Sequence, residues 1–250
     1  MHVVLVFLSA VAAGAINAVA GGGSLVSFPT LIWLGVPSVS ANMTNTVSIW
    51  PGTVASAWGY RRELRGADPR VFRLFVPSVI GGVLGAVLLN QTPTVVFDRL
   101  VPPLILFATC LFMLQEQVQR RLNLSAPHAG RWGWFSWTMG FQLVVGMYGG
   151  YFGAGIGILM LASLSLMGHT DIHQMNGLKN LLGGGINLVA ATYFALGGEV
   201  SWPDASVLVV GGIVGGLAGA SLARRIGRRA VRRVVVVIGF SMALSLMLKL

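Results

Sequence analysis

The sequence predicts an all-α polytopic membrane protein made of two inverted repeats of about five hydrophobic segments each. Three observations lead there. Only 10% of the 250 residues are charged and 55% are hydrophobic, against about a quarter charged in an average soluble domain. Gly81-Gly82-Val83-Leu84-Gly85-Ala86 returns as Gly215-Gly216-Leu217-Ala218-Gly219-Ala220, an offset of 215 − 81 = 134. The charges of equivalent loops are exchanged between the two copies. The chain reads as one transmembrane domain: 1–114 the first repeat, 115–130 a cytoplasmic connection, 131–250 the second repeat.

Taken in order, the first-half segments fall at about 2–20, 22–36, 40–60, 70–90 and 94–114. Those of the second half fall at about 131–151, 154–167, 173–197, 203–223 and 230–249. Residues 2–20 lack the charged start of a signal peptide and read as a first span. The segments at 22–36 and 154–167 are shorter than the ~17 residues of a comfortable crossing. Each follows a glycine cluster, Gly21-Gly22-Gly23 or Gly149-Gly150 through Gly153-Ala154-Gly155. Tilted spans, half-helices and re-entrant segments all satisfy that pattern. Cys110, the single cysteine, sits in an apolar run and implies no disulfide framework.

Orientation follows from arginine. Fourteen of the 17 basic residues lie in three clusters: Arg61 to Arg73, Arg120 to Arg131, and Arg224 to Arg233. Placing these loops inside puts both termini and the turn Asn90-Gln91-Thr92-Pro93 outside. The mate of basic loop 61–73 is Gly197-Gly198-Glu199-Val200-Ser201-Trp202, which has no basic residue, while the neutral turn 90–93 matches arginine-rich 224–233. An odd number of segments per copy requires that swap. Trp132, Trp134 and Trp137 on one side and Trp202 on the other read as interfacial belts. The net charge of +10 is therefore topological; no folded basic domain for nucleic acid is present.

The offset also aligns polar positions. Asn176, Lys179, Asn180, Gly183, Gly184 and Asn187 share one helix face, and shifting back by 134 gives Asn42, Asn45, Thr46 and Thr53. Polar stripes are costly against lipid, so both should face the protein interior or a water-filled cavity. Lys179 is the one basic residue expected at depth, six residues beyond His173, or about 9 Å along a helix. No carboxylate is expected in the core beside it, and an anionic substrate would supply the counter-charge. Glycine-flanked helix starts at Gly21, Gly22, Gly23, Gly153 and Gly155 would add backbone N–H groups that favour anions. Snorkelling of Lys179 to the interface, or pairing with Asp171, is the structural alternative. For the glycine pattern the alternative is close helix packing.

His169-Thr170-Asp171-Ile172-His173 supplies ligand types for a transition metal, which makes a divalent metal-cation transporter the competing reading. Thr170 or Asp171 also fits as the cap of the helix that follows. No hydrolase constellation and no cofactor motif is present, so an enzyme is not expected.

Ala13-Gly14-Ala15, Ala20-Gly21-Gly22-Gly23-Ser24 and Pro29-Thr30-Leu31 resemble the first conserved block of the TauE/SafE sulfite-exporter family. Gly149-Gly150-Tyr151-Phe152-Gly153-Ala154-Gly155 and Asn176-Gly177-Leu178-Lys179-Asn180 resemble its second-half counterpart. The resemblance implies a bacterial or archaeal inner-membrane transporter of sulfite, sulfonates or similar small anions. On that reading the partners are membrane lipid, the anion and any coupling ion. The polar stripes themselves make Lys179, Asn176, Asn180, Asn187, Asn42, Asn45 and Thr46, together with the glycine-rich breaks, the candidate substrate ligands; the resemblance assigns none of them. An anion channel is the remaining alternative.

Overall fold

A computed structural model describes residues 1–20, 22–67, 69–124, 137–166, 171–226 and 228–248. Among these residues the chain is helical, with no strand. Ten helices of ten residues or more succeed one another. The first copy holds α1 (His2–Ala20), α2 (Ser24–Trp33), α3 (Ser38–Gly59), α4 (Phe75–Gln91) and α5 (Thr94–Leu124). The second holds α6 (Trp137–Tyr151), α7 (Ile156–Leu166), α8 (Ile172–Gly197), α9 (Trp202–Ile226) and α10 (Arg228–Met247). A one-turn helix, Arg61–Arg65, and a 3-10 turn, Pro69–Leu74, join α3 to α4. Gly21, His169, Thr170, Trp132, Trp134 and Lys249 lie outside the described residues.

The 134-residue offset is visible in the helices themselves. α3 starts at 38 and α8 at 38 + 134 = 172; α5 starts at 94 and α10 at 94 + 134 = 228. Packing partners also exchange between copies. α1 lies on α9 as α6 lies on α4; α3 touches α9 as α8 touches α4; α2 meets α10 as α7 meets α5. The copies are thus interleaved, each lending its first helix to the other's fourth. The mates α3 and α8 pack on each other and run antiparallel. Ser40 Oγ, near the start of α3, donates to Glu199 O just past the end of α8, while Gly177 near the start of α8 lies against Tyr60 and Leu64 just past the end of α3.

Two differences from the sequence reading have local causes. The stretch expected to be a connection from residue 115 continues α5 to Leu124. Residues 115–124 are rich in Gln, Arg and Leu and hold no Gly or Pro, so nothing stops the helix there. The segment expected from residue 70 opens instead as a 3-10 turn behind Pro69 and becomes α-helical at Phe75.

The short helices α2 and α7, of 10 and 11 residues, reach about 15 Å, half of a hydrocarbon core of about 30 Å. Val71–Gln91 and Thr94–Leu114 are long and apolar enough to cross a bilayer by themselves; His2–Asn17, Trp202–Leu217 and Arg233–Met247 are apolar but shorter. The distribution of side chains is apolar outward and polar inward. Large apolar groups such as Leu84, Leu88, Val210, Val214, Val237 and Leu244 point outward, whereas Asn42, Thr44, Asn45, Thr46, Ser78 and Gln142 are buried. Exposed Trp33, Trp58, Trp137 and Trp202 stand at or near helix ends, where amphipathic rings anchor a protein at the interface.

Candidate functional site

The glycine breaks place two helix N-termini near one level of α5. Gly22 (φ +94°) precedes α2, and a Cβ there would stand 2.9 Å from the Phe112 ring. Gly155 (φ +77°) precedes α7, and a Cβ there would stand 3.4 Å from Ala108 Cα. Ala108 and Phe112 are one turn apart, about 6 Å along the helix. A left-handed backbone turn is needed at both points, which is why glycine occupies them. Rings from both copies meet beside them: Phe28 of α2 stacks edge-on against Phe152, with centroids 5.4 Å apart. Asn42 Nδ2 donates to Tyr151 O at 2.8 Å, binding the first polar stripe to the carbonyl end of α6.

Beside the first break is a cavity of about 430 Å³ between α1, α2, α3 and α9. One wall carries Asn17, Ser27, Asn45 and Ser48; the opposite wall carries Leu208, Val209, Ile213 and Leu217. Ser27 Oγ donates to Asn45 Oδ1 at 2.6 Å, which leaves the Asn45 amide N–H groups to serve the cavity. The N-terminal ends of the surrounding helices are tied together. His2 Nε2 lies 2.8 Å from Asp204 Oδ1, Ser201 Oγ donates to Asp204 Oδ2, and Ser201 N donates to Thr44 Oγ1. Toward the C-terminal ends, where α3 leads into Arg61, Arg62 and Arg65, the lining residues Asn17, Pro51, Gly52 and Leu217 are exposed. The cavity is therefore closed at the arginine-free end and open toward the arginine-bearing end.

The candidate residues divide by position. Asn45 and Gly23 line the cavity. Lys179 does not; it occupies the repeat-equivalent place (45 + 134 = 179) between α7 and α8. Its Nζ donates to Asn176 Oδ1 at 3.1 Å, and its stem lies along Gly157, the mate of Gly23, where a Cβ would stand 3.2 Å from Lys179 Cδ. Among the described residues Lys179 forms no ion pair. Asn187 Nδ2 approaches Thr53 Oγ1 at 3.5 Å. These two are repeat mates (53 + 134 = 187), so the approximate two-fold axis passes between α3 and α8 there. Thr46 Oγ1 is turned to its own helix, donating to Asn42 O at 2.9 Å, and Asn180 is half-buried. Gly153 turns the chain out of α6 with φ +77°.

Asn17, Ser27 and Ser48 were missed by the sequence comparison for a definite reason. Their mates at the same offset are Tyr151, Leu161 and Leu182, so a search for polar positions shared by both copies passes over them. Asn17 stands four residues before Gly21, and proximity to the break was the available signal.

Of the metal reading's cluster, His169 and the side chain of His173 lie outside what the structure describes. Among the described residues no group of three potential metal ligands occurs. Asp171 Oδ1 accepts from Gln174 N, the capping bond expected at the start of α8. The repeated glycines fulfil the packing role: Gly81 and Gly85 press on Leu143 and Met147 of α6, and Gly215 presses on Val11 of α1.

An all-helical bundle with large apolar side chains turned outward, broken helices and a half-open cavity with one polar wall fits the construction of a membrane transporter. Residues 6–246 match the model of the family described as Sulfite exporter TauE/SafE. The chain belongs to that family, which makes it a membrane transporter of the small-anion class and not an enzyme. It is 26% identical over 214 residues to a Haemophilus influenzae protein named "Probable membrane transporter protein", covering 84% of this chain and 80% of that one. It is 27% identical over 218 residues to "Probable membrane transporter protein YfcA" of Escherichia coli K12, covering 83% and 75%. To "Probable membrane transporter protein ORF9" of a Sinorhizobium species it is 24% identical over 196 residues, covering 78% and 73%. No solved structure matches the chain.

Proposed function

We propose that this protein exports a small sulfur oxyanion, sulfite or an organosulfonate, across a bacterial or archaeal inner membrane by alternating access. The observation that carries the reading is the cavity at the first glycine break, lined by the neutral hydrogen-bonding groups of Asn17, Asn45 and Ser48, with Lys179 at the equivalent position of the other copy. The amides of Asn17 and Asn45 have N–H groups to offer oxyanion oxygens, while the Ser48 hydroxyl donates to Thr44 O at 2.6 Å and can only accept. An apolar wall opposite the polar one accommodates a short carbon chain.

In this reading the arginine clusters lie inside, both termini lie outside, and the antiparallel mates α3 and α8 express the inversion of the second repeat in the membrane. Because the copies are interleaved, the moving bodies are built from packed helices of both copies, such as α1 with α9 and α4 with α6. The sealed end at His2, Asp204, Ser201 and Thr44 favours gated transport over an open channel. Asp204 is buried at that end and held by His2 and Ser201, so a carboxylate relay through the core is not invoked.

Sulfite efflux from proteoliposomes tests the proposal. Asn45→Leu and Lys179→Gln are each expected to cut the flux by about tenfold or more, the scale of one lost hydrogen bond to a charged ligand. Flux at the unaltered rate in both variants would remove these residues from the path.

A further inference from the structure

The two copies of the repeat stand in different conformations where they bound the path. Around the cavity α9 stands off α3: a Cβ at Gly212, Gly216 or Gly52 would meet nothing within 4 Å. The mates of Gly212 and Gly216 on α4 are Ser78 and Gly82 (212 − 134 = 78; 216 − 134 = 82), and the mate of Gly52 on α8 is Ile186 (52 + 134). These are shut in. A Cβ at Gly82 would stand 2.9 Å from Val189 Cγ2 and 3.2 Å from Ile186 Cα, and Ile186 is fully buried. Ser78 is buried against α6, its Oγ accepting from Gln142 Nε2 at 2.8 Å. The Phe75 ring closes over Gly185, the mate of cavity-lining Pro51.

Bulk is part of the difference, since Leu161, Leu182 and Ile186 replace Ser27, Ser48 and Gly52. It is not all of it. The neighbour that crowds Gly82 includes the backbone of α8 itself, so on this side the helices have approached one another, not merely filled a gap.

We infer that the closed seam between α4 and α8 is the protein's second access route, a hidden cavity for the same small anion in which Lys179 takes the place that Asn45 holds in the open one. In the alternate conformation α4 withdraws from α8 while α9 closes on α3. The new cavity runs toward the C-terminal ends of α4, α6 and α8, which carry the arginine-free loops, and Lys179 loses its cover from the closed seam. The approximate two-fold relation supplies the reason: exchanging the conformations of the two copies exchanges which end of the bundle is open. Glycine at 82 and at 216 fits both halves of the cycle, since each must be close-packed in one conformation and clear in the other. The inference rests on the transport reading above.

Thiol labelling tests it without reference to the anion carried. In a Cys110→Ser background, the mates Gly52→Cys and Ile186→Cys are exposed separately to a membrane-impermeant maleimide on either face of oriented proteoliposomes. Gly52→Cys is expected to label readily from the arginine-bearing face, and Ile186→Cys slowly. Adding Gly82→Ala wedges α4 from α8. It should speed labelling of Ile186→Cys from the arginine-free face several-fold and slow that of Gly52→Cys. Adding Gly216→Ala, whose new methyl meets nothing in the present conformation, should leave the melting temperature unchanged and suppress labelling of Ile186→Cys.

Ile186→Cys that stays unlabelled in monodisperse Gly82→Ala protein, or that gains labelling while Gly52→Cys loses none, would overturn the inference. If Gly82→Ala does not fold, Gly216→Ala decides the matter, and labelling of Ile186→Cys unaffected by it is the contrary result. Reciprocal labelling in a protein that moves no sulfur oxyanion would leave this inference standing and remove the substrate assignment.

Discussion

Asn42 and Asn45 lie three residues apart on α3 and are held for different purposes. The amide of Asn42 donates to Tyr151 O, whereas that of Asn45 accepts from Ser27 and turns its N–H groups to the cavity. Asn42→Leu strands a buried carbonyl and should lower stability by about 1–3 kcal/mol, read from thermal unfolding in detergent. Asn45→Leu should cost little stability, because Ser27 Oγ also reaches Gly23 O at 3.3 Å, and should act on flux instead. The sequence placed both residues on one polar face but could not separate these roles, which depend on a carbonyl 109 positions away. Lys179 was legible as the lone deep cation; its separation from the Asn45 cavity was not, because mates in an inverted repeat sit on opposite sides of the two-fold axis.

At the scale of helices, glycine sets how closely the bundle packs. Lipid removes the hydrophobic drive for helix association, so van der Waals contact between backbones has to supply it. Gly85 lies against Met147 and Tyr151 of α6, Gly14 lies against Gly212 of α9, and Gly140 has nothing near it. Gly85→Leu and Gly14→Leu should therefore destabilise by about 1–3 kcal/mol or more. Gly140→Leu should be neutral or slightly stabilising through its higher helix propensity. Melting temperatures of the three variants check this, and equal melting of all three would contradict the packing account. The short helices after the glycine breaks were legible from length and composition. Their convergence on Ala108 and Phe112 was not, since it depends on how α5 crosses both copies.

For the whole molecule, the offset of 134 residues was readable because it recurs in glycines, polar residues and loop charges together. The interleaving of the copies was not readable, since a sequence repeat does not specify whether its copies pack side by side or exchange partners. The exchange matters for function. With α1 committed to α9 and α6 to α4, a hinge between residues 1–114 and 131–250 would tear both contacts, whereas motion at the seams α3–α9 and α4–α8 preserves them. The central claim, that a small sulfur oxyanion passes through this path, is tested most directly by sulfite efflux from loaded proteoliposomes, comparing the unaltered protein with Lys179→Gln and Asn45→Leu. The account predicts saturable efflux well above protein-free vesicles, falling about tenfold or more in each folded variant. Efflux no faster than from empty vesicles, or equal in all three proteins, would contradict it.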